Sequence, residues 1–165
     1  GSCNLALEAL GARGTVGLAT FLWPVELGAY AAIVERASKA SPYRPYPFSQ
    51  WRLAIAALGR GLDADPGNPD LLFRRGLYCL AGGLWAEACV AFDGAGVQGR
   101  RPALAASFYA AALYASGEEA EARRLLGESW PGLRPRERAF FRSRLGQALA
   151  SRRGLREEIL ELAGF

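Results

Sequence analysis

The chain has no histidine and no methionine, a single lysine at Lys39, and three cysteines among 165 residues. Without histidine it lacks the commonest general base, the commonest zinc ligand and the usual partner of a serine or cysteine nucleophile. Three thiols with no paired spacing do not close a tetrahedral zinc shell, so neither a metal nor a cofactor is expected. No glycine-rich phosphate loop, nucleophile elbow or acid pair stands out, and the chain reads as a non-enzyme. Charge is also scarce: 22% of residues are charged and 51% hydrophobic, with 20 glycines. That composition excludes a disordered chain and fits a compact helical protein.

The absence of methionine means that the chain does not open on a start codon, and Gly1-Ser2 is what a cleaved tag leaves. A native segment beginning at Cys3 would match a lipoprotein cut at its lipid-bearing residue, which makes Cys3 a candidate lipid attachment point. An arbitrary domain boundary accounts for it equally. The most apolar stretch, Thr15 to Val34, approaches the length of a bilayer span. Pro24 and Glu26 fall inside it, so a buried helix from about Pro24 to Lys39, with proline in its first turn, is the preferred reading. Any link to a membrane is expected to be indirect, through a lipid anchor or an upstream segment.

Proline and glycine divide the rest of the chain. Pro42, Pro45 and Pro47 cannot continue a helix, so residues 41–49 read as an extended connector that packs its Tyr and Phe rings on the helices beyond it. The division expected is residues 1–46, irregular helices and proline-rich linker, and residues 47–165, helical hairpins. Apolar residues at helical spacing predict helices over 47–63, 69–82, 85–95, 102–116, 118–129, 136–151 and 155–162. No stretch asks for a strand.

Sliding the chain against itself reveals a period of 34 residues from Trp51 to Trp130. Ala54, Ala88 and Ala122 coincide, as do Leu58, Phe92 and Leu126, and Gly83 meets Gly117. A fixed repeat of this size is the mark of stacked helical hairpins. The stretch from Asp63 to Ser129 resembles the tetratricopeptide repeat (TPR). Pro69 to Pro102 fits best, with Leu72, Gly76, Cys79, Gly83, Trp85, Ala88, Phe92 and Ala95 at the family's set positions. The next unit continues with Ala106, Ala110, Leu113, Gly117, Ala122, Leu126 and Ser129, and departs at Glu119. The resemblance implies an all-α helical-repeat solenoid with about two clear repeats and divergent flanking helices, the hairpin after Pro135 serving as a divergent repeat or cap. It places Gly76 against Ala88 at the closest approach of two helices.

The same resemblance implies a partner-binding groove lined by the first helix of each unit: Asp70, Phe73, Arg74 and Leu77, then Leu104, Ser107, Phe108, Ala111 and Tyr114. This lining is apolar and offers only Arg74 to a terminal carboxylate, so an amphipathic helix or apolar peptide suits it better. The chain's own N-terminal helix is an equal candidate to fill it.

The formal charge of +4 is uneven. Residues 1–99 hold eight basic and eight acidic side chains, and residues 100–165 hold twelve and eight. Arg134, Arg136, Arg138, Arg142, Arg152 and Arg153 form a second candidate, a basic patch suited to phosphate or an acidic tail. Nucleic acid is disfavoured, because Phe140 and Phe141 are the only interleaved aromatics and a core would claim them first. Cys79 and Cys89, on opposed helices, could form a disulfide in an oxidising compartment, and reduced core thiols are the preferred reading. Taken together, these features predict a non-catalytic interaction or scaffolding module, an adaptor that binds another protein or peptide. The alternative is a bacterial lipoprotein or periplasmic assembly factor of the same fold that holds an apolar ligand, with bacterial cytoplasm and cell envelope equally open.

Overall fold

The computed structural model describes residues 44–165, and every regular element among them is helical. Seven α-helices succeed one another: α1 Trp51–Ala64, α2 Pro69–Gly82, α3 Trp85–Gln98, α4 Pro102–Ala115, α5 Glu119–Ser129, α6 Pro135–Ala148 and α7 Arg153–Leu162. Short 3-10 turns, Phe48–Gln50 and Trp130–Gly132, precede α1 and α6. The helix predicted from residue 47 begins as the first of these turns, and regular α-helix starts at Trp51. The expected N-terminal helices, the lipid site at Cys3 and the apolar stretch from Thr15 to Val34 all lie outside the described residues. Among the described residues no helix is long and apolar enough to cross a membrane.

Local chemistry sets the helix ends. The Asn68 side chain accepts from the amides of Asp70 and Leu71 at 3.0 and 3.2 Å, and Pro69 fills the first helical position of α2, where an amide would be unsatisfied. At the other end Gly83 sits at φ 73°, and the Leu84 amide reaches back to the Cys79 carbonyl at 2.9 Å. Gly117 repeats the arrangement at φ 94°, with Glu118 bonded to Leu113 at 2.9 Å. Both are Schellman-type stops that need a left-handed residue.

From α1 to α5 each helix packs on the next in sequence. The 34-residue register carries through to burial, for Ala54, Ala88 and Ala122 are each 0% exposed, and Leu58, Phe92 and Leu126 are all buried beside them. The close approach at Gly76 is to helix α3, which carries both Ala88 and Phe92. A β-carbon there would stand 2.5 Å from the Phe92 ring, so the missing side chain admits an aromatic ring. Gly82 does the same for Trp51, whose ring lies 2.7 Å from where a β-carbon would be. Large rings fill the space that small residues vacate, which keeps the interior at crystal-like density.

The pairwise order ends at Trp130. Helix α6 packs on α2 and α4, and α7 packs on α4 and α6. The α6–α7 turn reaches the α2–α3 turn, where Arg152 donates to the Ala81 carbonyl at 3.4 Å and its guanidinium stacks 5.1 Å from the Trp85 ring. The C-terminal hairpin therefore lies across the face that α2 and α4 share.

Candidate functional site

An aromatic chain marks that shared face. Phe73 of α2 meets Phe108 of α4 edge-on at 5.2 Å, and Phe92 of α3 lies against both, at 5.6 and 5.5 Å. From α6, Phe140 approaches Phe73 and Phe108 at 6.3 Å, and Phe141 packs on Phe108 at 4.9 Å. Trp130 continues the chain from Phe141 to Phe165, at 5.3 and 5.5 Å. Centroid separations of this size are favourable for offset and T-shaped pairs. Phe140 and Phe141, an aromatic pair set among charges in the sequence, are what anchor α6.

The residues expected to line a partner groove divide accordingly. Leu77, Leu104, Phe108 and Ala111 are buried, while Phe73, Arg74 and Tyr114 are partly covered and Asp70 is exposed. Tyr114 donates to Glu158 of α7 at 3.1 Å, and this bond, which a tyrosinate cannot make, is the main reason its pKa is raised. Ser107 does not face the groove. Its hydroxyl lies 3.0 Å from that of Ser129 and donates to the Ala103 carbonyl at 2.9 Å, so it serves the α4–α5 interface. Residue spacing makes the N-terminal helix a candidate to cover the α2–α4 face. Among the described residues, the C-terminal hairpin is what covers it.

One part of the face stays open. At the N-terminal ends of α2 and α4 a cavity of about 800 Å³ has Phe73, Leu104 and Phe140 among its apolar lining and Asp65, Asp70, Arg100 and Arg101 among its polar lining. Three of the expected groove residues, Asp70, Phe73 and Leu104, meet here.

The arginines do not form one patch. Arg138 and Arg142 share the outer side of α6, whereas Arg152 is committed to Trp85 and Ala81, and Arg153 pairs with Glu157 at 3.0 Å. Arg134 and Arg136 are exposed at the start of α6. Stacking, which residue spacing does not reveal, organises the others: Arg138 lies over Trp130 at 5.3 Å, Arg142 over Phe165 at 5.2 Å and Arg144 over Phe140 at 5.5 Å. Stacking leaves a guanidinium's in-plane donors free for other bonds, and Arg138 spends one on the Trp130 carbonyl at 3.0 Å and Arg144 one on Gln147 at 3.4 Å.

No protein-family model, curated protein or solved structure matches the chain. Its function must be read from the chemistry of the described residues. Cys79 and Cys89 are both free thiols. Burial pushes Cys79 up to about 12 and Cys89 up to about 11. Both stay protonated at neutral pH, a state that makes poor nucleophiles and poor ligands. Among the described residues no three His, Cys, Asp or Glu side chains cluster as a metal site would require. Tyr78 is spent on structure, donating to the Tyr46 carbonyl at 2.7 Å and packing on Phe48 at 5.3 Å, which ties the connector to α2.

Proposed function

We propose that this chain is a tetratricopeptide-type helical-repeat module that binds a segment of another protein and carries out no catalysis itself. The 34-residue register supports the repeat reading, since equivalent positions share burial at Ala54, Ala88 and Ala122 and share a left-handed turn at Gly83 and Gly117. The observation that carries the binding reading is the cavity between the N-terminal ends of α2 and α4. It is the part of the α2–α4 face that α6 leaves uncovered, and it joins an apolar floor to charged groups of both signs. Such a site takes an extended peptide: one apolar side chain enters against Phe73, Leu104 and Phe140, and the flanking polar groups meet Asp70, Arg100 and Arg101.

Peptide-library selection with the wild type, Asp70→Arg and Arg101→Glu tests the reading. Both positions are exposed, so circular dichroism should be unchanged in the variants. Each change is expected to weaken selected peptides by about tenfold, the loss of roughly one charged contact. Peptides that bind both variants as tightly as the wild type would remove the cavity from consideration.

A further inference from the structure

Helix α6 has a second face. Phe141, Leu145 and Ala148 are buried on one side. On the opposite side Ala139, Ser143, Gly146 and Ala150 succeed one another at spacings of four, three and four residues, in an open trough of about 830 Å³. Small residues alone say nothing about an occupant. The walls do, because Arg138 and Arg142 line the trough together with Phe165, and no acidic residue does.

Among the described residues the charge on this face has no carboxylate partner. On α5, Arg123 pairs with Glu119, and Arg124 pairs with Glu121 and Glu128. Among the described residues no such carboxylate pair forms at Arg134, Arg138 or Arg142. The nearest acid in sequence, Glu137, turns back to accept from the Arg134 amide at 3.4 Å. Arg138 and Arg142 stand one helical turn apart on α6, and Arg134 immediately precedes the helix as its extended N-cap residue. Two of them are held by stacking on Trp130 and Phe165, so their side chains are partly ordered before any partner arrives. Phe165, 45% exposed, is one of the few large apolar side chains that the described surface shows.

We infer that the outer face of α6 docks an amphipathic helix of another protein that carries carboxylates along one edge. Its apolar stripe lies in the trough against Ala139, Ser143 and Gly146, where small side chains allow close approach, and one large apolar residue covers Phe165. Its carboxylates, one helical turn apart, meet Arg138 and Arg142. This face is separate from the cavity at the ends of α2 and α4, and whatever that cavity holds leaves it free.

The test is fluorescence anisotropy with a synthetic amphipathic peptide that has leucines along one stripe and glutamates at every fourth residue along its edge. Its controls are the same peptide with lysine for glutamate and a scramble of the original composition. The wild type is expected to bind the acidic helix about tenfold or more tightly than either control, and more weakly as salt rises. Arg142→Glu, which reverses one contact, and Ser143→Trp, which fills the trough, are each expected to cost about tenfold. Both positions are exposed, and unchanged circular dichroism would show that the fold survives. Asp70→Arg, at the other site, should bind like the wild type. Equal binding of the scramble, no binding at all, or indifference to both substitutions would overturn the inference. So would a wild-type dimer in sedimentation that Ser143→Trp dissolves, which would assign the face to a second copy. Displacement of the peptide by a single-stranded oligonucleotide whose own binding is lost in Arg142→Glu would assign it to nucleic acid instead.

Discussion

Helices α4 and α6 are the same length, 14 residues each, and both start on proline. They occupy opposite extremes of the structure. Helix α4 has no charged side chain, and seven of its residues are buried, around most of its circumference, under α3, α5, α6 and α7. Helix α6 buries three, all on one side, and carries arginines on the other. A helix apolar all round has only the interior available to it, whereas a one-sided helix retains a surface. A partner of the kind proposed would therefore find surface on α6 and at the ends of α2 and α4, and not along the middle of α4.

The sharpest way to break this comparison is at Phe108, which touches rings from α2, α3 and α6. Phe108→Ala is expected to cost about 3–5 kcal/mol in urea unfolding, and a loss of under about 1 kcal/mol would deny α4 its central place. Phe140→Ala removes the partly exposed anchor of α6 and should cost less, about 1–3 kcal/mol. If the two losses came out equal, the asymmetry between the helices would be wrong.

A smaller effect is expected between α4 and α5. Ser107→Ala leaves the buried Ser129 hydroxyl without its partner, at a cost of about 1–2 kcal/mol. The double change with Ser129→Ala should recover part of that loss, which a double-mutant cycle would read.

The two thiols make a prediction about pH. An unfolded chain releases its thiol protons near the ordinary 9.0, whereas the fold holds them up to about 12 at Cys79 and about 11 at Cys89. Between those values the unfolded state binds fewer protons, so stability falls as pH rises and is unaffected below the unfolded value. Unfolding midpoints at about pH 8 and about pH 10.5 should separate more in the wild type than in Cys79→Ala/Cys89→Ala. Smallest of all, Arg124→Ala should leave the midpoint where it is, because its pairs with Glu121 and Glu128 are solvated surface contacts.

What residue spacing reveals well is local. Pro69, Gly83, Pro102 and Gly117 punctuate the chain because a missing amide or a left-handed turn acts within a few residues, and the helices lie within a few residues of their predicted ends. Burial at Ala54, Ala88 and Ala122 is legible for the same reason, as a matter of which side of a helix each residue occupies. What spacing does not reveal is which partner each face meets. Gly76 is readable as a close approach, but the ring that uses it, Phe92, belongs to tertiary packing. The apolar lining of the α2–α4 face is readable too. That its cover comes from Phe140 and Phe141 depends on a turn at Trp130–Gly132 whose direction no periodicity encodes. The arginine row is visible as charge, and its stacking on Trp130 and Phe165 is not.

The long reach of the C-terminal hairpin has a consequence in time. Contacts from α1 to α5 join neighbours in sequence and can form as each helix is made, whereas the Arg152 bond to Ala81 joins residues 71 apart. Of the described residues, those of α6 that cover Phe73 and Phe108 are made late, so a growing chain lacks that cover until α6 has been synthesised. Ribosome-bound chains stopped before Pro135 should bind a hydrophobic dye such as ANS, and those that have released Phe165 should not. The hairpin is in that sense the protein's own late chaperone, closing the aromatic face once translation has passed it.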